Sequence, residues 1–288
     1  MRDIPTSPRI IEIRHKSRIR LLRIMVLLFI LFISIIFGLS FFSGKKGMMI
    51  NNIEITGTHI IDQEEIKEEI YKNIFGKYVY LFDKANGFIY PHDKIYDDLI
   101  KNFSRIETLS IYRDDLKTLH VDIKERVGSY LYCGIKVPEN KEEVGENCYF
   151  VNNDGFIFDK APYFSGNVYF KYYVELENGR TDPLGAQLFN AEHFYKITRF
   201  VDEVSSLGFK PIYIIMEKDG TNSLYLDNKN NINIPKIIFK NDEDLDLIKD
   251  NFEIAMNKKE FASEVNSKYD TLLYIDLRFK NKVLYKFQ

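Results

Sequence analysis

The chain has 288 residues, 28% of them charged and 45% hydrophobic, enough for one or two compact domains beside a membrane segment. Its formal charge of −2 is unevenly spread: residues 1–23 hold seven Lys/Arg against two acidic residues, which leaves −7 on the other 265. That balance excludes a main body built to hold nucleic acid.

Residues 24–44 (IMVLLFILFISIIFGLSFFSG) carry no charge. At 1.5 Å per residue such a run crosses a hydrocarbon core of about 30 Å. A cleaved signal peptide would have an apolar run of about 7–15 residues ending in an A-x-A-like site, and no such site follows Phe42. The reading is an uncleaved transmembrane helix behind a basic tail, residues 1–23. Arg9, Arg14, Lys16, Arg18, Arg20 and Arg23 precede the run, against Lys45 and Lys46 after it, so the N-terminus belongs in the cytoplasm and the main body outside.

Residues 48–127 alternate between strand and helix signals. INNIEIT (50–56) reads as a strand with Ile53 and Ile55 inward. Asp62 caps a helix, with Glu65 completing a capping box and Ile66 and Ile70 as its apolar stripe. KYVYLF (77–82) reads as extended. Asp93 opens a second helix, with Ile95, Tyr96, Leu99, Ile100 and Phe103 at helical spacing. Strands over 105–112 and 118–125 follow, joined by RDDLK. The expected order is β-α-α-β-β, both helices covering one face of a small sheet.

From residue 128 to 288 strand signals dominate: SYLYC, CYFVNN, GFIFD, NVYFKYYVEL, PIYIIMEK, NSLYLDN and PKIIFK. Two helices interrupt them. One runs over 191–207, capped by Asn190 and closed by Gly208. The other starts near Asp242 or Asp244 and reaches Asn257, with Leu245, Ile248, Phe252 and Ile254 inward. The last stretch, TLLYIDLRFKNKVLYKFQ, alternates as a hairpin, with Leu273, Ile275, Leu277 and Phe279 on one face. A three-residue loop over Lys280, Asn281 and Lys282 would set Phe279 opposite Val283 and Leu277 opposite Tyr285. The fold class is α+β throughout.

Four stretches in this order resemble the FtsQ/DivIB family of bacterial cell-division proteins. INNIEITGTHIIDQEEIKEEI is similar to the opening strand, turn and helix of that family's POTRA module, with Gly57 after the strand. RIETLSIYRDDLKTLHVDIKERV resembles its two later strands, ending in T-L-x-V-x-I-x-E-R. CYFVNNDGFIFDKAP resembles the hairpin that opens the family's β domain, and YIDLRFKNKVLYKF its closing I-D-L-R-F/Y hairpin. The resemblance implies a single-pass membrane scaffold, a POTRA-like domain over 48–127 and a β-rich domain over 128–288. It implies a place at the division septum. The implied partners are small bitopic coiled-coil proteins of the FtsB/DivIC and FtsL type, with other division proteins, in an assembly that promotes septal peptidoglycan synthesis.

Little in the sequence points to catalysis. His15, His59, His92, His120 and His193 are scattered, and H-E-x-x-H, G-x-S-x-G, P-loop and G-x-G-x-x-G patterns are absent. Asp114 and Asp115 read as a turn. Asp242, Glu243, Asp244 and Asp246 lack EF-hand spacing and suit a helix N-terminus instead. Asn152-Asn153-Asp154-Gly155 reads as a hairpin turn with Gly155 at positive φ. No cofactor, metal or small-molecule substrate is expected. An exported enzyme, or an enzyme-associated module acting on the cell wall, is the competing reading.

Two features are left to carry function. Cys133 and Cys148 bracket a 14-residue charged loop. They are either a disulfide, favoured outside the cytoplasm, or two buried thiols. The final strand, Lys282, Val283, Leu284, Tyr285, Lys286 and Phe287, is expected at a sheet edge, where an extended segment of a partner can pair with it. Otherwise Lys282, Lys286 and Gln288 simply protect an ordinary edge.

Overall fold

The computed structural model of the chain describes residues 8–138, 147–176, 179–228, 234–240, 245–279 and 282–288, with side chains from residue 18 onward. Two compact units emerge, Met1–Glu125 and Arg126–Gln288.

The first unit opens with α1 (Pro8–Ser43), a single helix of 36 residues. Its segment Arg18–Ser43 contains an 18-residue window with a mean hydropathy of 2.9 and is long and apolar enough to cross a membrane. The expected span over 24–44 lies in it but for its last residue. After α1 come β1 (Asn52–Thr56), α2 (Gln63–Ile74), β2 (Lys77–Tyr78), β3 (Phe82–Asp83), α3 (His92–Asn102), β4 (Ile106–Tyr112) and β5 (Thr118–Glu125). The sheet order is β1-β5-β4, with β1 parallel and β4 antiparallel to β5. A parallel pair needs a crossover, and α2 and α3 supply it.

The core of this unit follows from spacing. Ile66, Ile70 and Ile74 of α2 and Ile95 and Leu99 of α3 pack with Ile53, Ile106, Leu119, Val121 and Ile123 of the sheet. Asp62 caps α2, accepting from the Glu64 N–H at 2.9 Å. Of the apolar residues at helical spacing in α3, Ile95 and Leu99 are buried, while Tyr96 and Ile100 lie at the surface. Gly57 sits at φ +79°, where a Cβ would stand 2.0 Å from the Ile123 carbonyl oxygen, so the turn after β1 admits no side chain. The Glu125 carboxylate closes the same turn, accepting from the N–H groups of His59, Ile60 and Ile61 at 2.8, 2.9 and 2.9 Å.

KYVYLF corrects the expectation of one extended stretch. It is a tight hairpin, β2 against β3, turning through Val79 and Tyr80 at φ 49° and 62°.

The second unit contains β6 (Tyr130–Tyr132), β7 (Tyr149–Val151), β8 (Ile157–Lys160), β9 (Lys171–Val174), α4 (Ala191–Ser206), β10 (Pro211–Met216), β11 (Thr221–Leu226), β12 (Lys236–Lys240), α5 (Leu245–Asn257), α6 (Lys259–Ser267), β13 (Leu272–Phe279) and β14 (Lys282–Phe287). They form a nine-stranded sheet in the order β14-β13-β12-β11-β10-β9-β6-β7-β8. The parallel neighbours β9/β10 and β12/β13 explain the helices. Each such step needs a crossover, provided by α4 in one case and by α5 with α6 in the other.

Asn190 caps α4, accepting from the His193 N–H at 2.8 Å, and Gly208 at φ +95° follows its end. Phe194, Ile197, Phe200, Val201 and Val204 of α4 share one core with Leu245, Ile248, Phe252 and Met256 of α5 and Ile214, Leu224, Ile237, Phe239 and Ile275 of the sheet. Ile254, expected inward, is 58% exposed. Met256 takes its place, being four residues beyond Phe252 on the same face. The helix α6 was not foreseen. The expected helix start at Asp242 or Asp244 lies outside the described residues.

Candidate partner-binding edge

β14 is the terminal strand of the large sheet, and among the described residues β13 is its one strand neighbour. The register differs from the expected one: Phe279 pairs with Lys282 and Ile275 with Tyr285. Residues 280 and 281 of the expected loop lie outside the described residues. The slip has a local cause. Pairing shifts between Leu272 and Tyr274 and again between Asp276 and Phe279, and each time the extra residue is in β13. The bulged part of β13 buries Asp276 and Leu277 together and leaves Phe279 exposed.

Because both irregularities are in β13, β14 keeps its regular alternation. Gln288 N–H donates to the Thr271 carbonyl at 2.8 Å, toward β13. Alternation then turns the backbone groups of Leu284 and Lys286 to β13 and those of Val283, Tyr285 and Phe287 to the outer side. This is a strand whose outer N–H and C=O groups stand ready for another extended segment.

Side chains hold the strand in place. Tyr285 donates its hydroxyl to Glu264 Oε2 of α6 at 2.8 Å, and its ring meets Phe261 edge-on at 5.0 Å. The Lys268 ammonium lies 5.4 Å from the Phe287 ring centroid. Hydrogen bonds from Lys268 and then Tyr285 hold Glu264 below the usual carboxylate range. The shared hydrogen bond raises the Tyr285 phenol.

A groove of about 470 Å³ runs beside this strand, lined by Asn251, Ile254, Ala255, Lys258, Phe261, Lys282, Val283 and Leu284. The sequence reading identified the strand but missed the helix wall. The signal was there: Leu245, Ile248, Phe252 and Met256 complete a buried stripe, so Ile254 had to face elsewhere.

Cys133 and Cys148 form a disulfide with Cα atoms 4.2 Å apart. The pair directly extends the Tyr132–Tyr149 pairing of β6 and β7, which brings the two cysteines together. The loop they close is mostly outside the described residues.

Among the described residues, His92, His120 and the turn carboxylates singled out in the sequence each have local partners. His120 stands between Glu54 and Asp114, at 3.5 and 3.3 Å, and stacks on Tyr112. His92 is bonded to its neighbour Asp93. Burial, then Lys196, lowers the pKa of His193. Asp115 accepts from Lys117 and Thr118 N–H groups, as a turn residue does. Asn152 Oδ1 accepts from the Asp154 and Phe156 N–H groups, and Gly155 has φ +80°, which makes this loop an Asx-type turn. Among the described residues no group of three or more His, Cys, Asp or Glu side chains could hold a metal ion. Asp242, Glu243 and Asp244 lie outside the described residues.

No protein-family model matches the chain, and no curated protein matches it.

Proposed function

We propose that this chain is a single-pass scaffold of the bacterial division machinery. Its N-terminus lies in the cytoplasm, its main body outside, and it recruits bitopic partners of the FtsB/DivIC and FtsL type rather than catalysing a reaction. One observation carries the reading: β14 is a regular edge strand beside a groove in which Ile254, Ala255 and Phe261 offer apolar surface between Asn251, Lys258 and Lys282. An extended segment can add to the strand through its backbone, and apolar side chains of the same partner can enter the groove. The apolar α1 segment supports the anchor, and the basic residues ahead of it support the orientation. The four sequence stretches described above support the division assignment.

The test is cellular. A fluorescent fusion should concentrate at the division site, and depletion should give filaments. A photo-crosslinker replacing Val283 should capture a bitopic coiled-coil protein. An evenly distributed fusion, with normal division after depletion, would overturn the reading.

A further inference from the structure

The hairpin of the first unit is joined to the end of α1. Ser40 Oγ donates to the Leu81 carbonyl at 2.7 Å. Ser43 Oγ accepts from the Asp83 N–H at 3.1 Å, and Asn86 Nδ2 donates to the Ser43 carbonyl at 2.9 Å, with Ser43 and Asn86 both buried. The exit segment is stitched to the same loop by Ile50 N–H to Ala85 and Gly87 N–H to Met48, each 2.8 Å. Ser40 lies within the apolar run, two residues before Phe42. The hairpin therefore reaches back alongside the last turn of the helix instead of standing clear of it.

Its tip is apolar and open. Residues 78–82 (YVYLF) carry no charge. Val79 is 81% and Tyr80 94% exposed, and Phe75 and Phe88, flanking the hairpin, are exposed as well. Val79 and Tyr80 also hold left-handed backbone angles, which β-branched and aromatic residues adopt rarely. A strained turn that presents Val79 and Tyr80 outward is poorly explained by packing within the chain. An apolar patch of this kind marks a surface with something to cover it.

The neighbouring charges match a lipid interface. Lys45 lies over the rings of Phe41 and Phe42 at 5.3 and 4.9 Å, and Lys84 over Tyr78 at 5.7 Å. Lys77 offsets Asp83 at 3.8 Å. Aromatic rings at the helix exit with lysines beside them form the pattern that settles at the boundary between acyl chains and phosphates.

We infer that the β2–β3 hairpin is a second membrane contact: Val79 and Tyr80, with Phe75 and Phe88 beside them, enter the interfacial layer of the leaflet from which α1 emerges. The inference rests on α1 being the membrane anchor. Two attachments, one spanning and one interfacial, fix the tilt of the first unit on the bilayer, where a lone helix followed by a free linker would not.

The test uses the full chain in vesicles of phosphatidylcholine and phosphatidylglycerol. Cys133 and Cys148 are bonded to each other, so single cysteines from Tyr80→Cys, Ile60→Cys and Phe29→Cys take an environment-sensitive fluorophore. Ile60 lies past the far end of β1 and serves as the reference. A nitroxide lipid labelled near the headgroup should quench the label at position 80 several-fold more than that at 60. A lipid labelled deep in the chain should quench the label at position 29. If position 29 is not quenched, the anchor reading fails and takes the inference with it. If 29 is quenched and 80 no more than 60, the inference alone is overturned; a protein occupant of the patch would give that result.

Oxidative footprinting of the unmodified chain in nanodiscs gives an answer that needs no variant. Tyr80, more exposed than Tyr195 (94% against 60%), should nevertheless be oxidised more slowly. Faster oxidation of Tyr80 would overturn the inference.

Discussion

Arg278 forks onto Asp276. Its Nε donates to Oδ1 at 2.9 Å and its Nη2 to Oδ2 at 2.6 Å, while the Arg278 backbone N–H also donates to Oδ1 at 3.1 Å. The two residues belong to the I-D-L-R stretch, and the fork sits where β13 bulges beside β14. Burial pushes the Asp276 carboxyl up, but the Arg278 hydrogen bonds outweigh it and hold the group below the usual range.

Arg278→Met should therefore leave a buried carboxylate without its partner and lower stability by about 1–3 kcal/mol. The folded-state pKa of Asp276 is depressed, so the pair contributes fully above about pH 4 and loses its effect as pH falls through the folded value. Urea denaturation at several pH values should show the gap between wild type and variant narrowing below about pH 4. A gap that widened in acid would contradict the assignment.

Glu125 is the acid of the T-L-x-V-x-I-x-E-R stretch, and its three amide donors give it a structural role. Burial pushes its pKa up, and the Ile61, Ile60 and His59 N–H groups more than offset this. Glu125→Ala should cost about 1–3 kcal/mol and speed amide exchange at residues 59–61. Glu125→Gln, which keeps one acceptor, should lie between. Unchanged exchange at these three amides would show that the turn holds itself.

Proline distinguishes the two sides of β14. Tyr285 directs its N–H outward and Leu284 toward β13, so Leu284→Pro should break the β13–β14 ladder and lower the melting temperature. Tyr285→Pro should melt near Tyr285→Ala and yet bind a captured partner at least about tenfold more weakly, a loss of about 1.4 kcal/mol. Lys286→Ala should bind as wild type does. Full binding by a folded Tyr285→Pro would remove β14 as the docking edge.

The Cys133–Cys148 bond closes a loop of 15 residues of separation, and its removal should cost about 3 kcal/mol in the chain-entropy picture. Cys133→Ser, Cys148→Ser and reductant-treated wild type should unfold at similar, lower urea concentrations. Insensitivity of the wild type to reductant would show that the bond adds nothing to stability.

Much of the architecture is local in origin and could be read from the residues alone. The uncharged run in α1, the Asp62 and Asn190 caps, the alternation of β4, β5, β10 and β11, and the turns at Gly57, Gly155 and Gly208 each depend on a few neighbouring residues and their intrinsic geometry. The same holds for β14 as a strand. Its edge position was expected as well; the order of the nine strands behind it was not legible, because strand order depends on crossovers between residues far apart in the chain.

Tertiary structure alone decided the rest. Two β13 bulges, one of them at the Arg278–Asp276 fork, shift the pairing, so alternation gave the wrong register. The spacing of Leu245, Ile248, Phe252 and Met256 already sets Ile254 off the buried stripe, but only the fold brings it beside Phe261 and β14 to wall the groove. KYVYLF has strand composition, yet the bond from Ser40 to the Leu81 carbonyl, and that from the following Asp83 N–H to Ser43, hold it as a hairpin against the end of α1. The hairpin at the end of α1 depends on contacts about 40 residues apart in the chain, and such contacts outweigh local preference while leaving no periodic trace in the sequence.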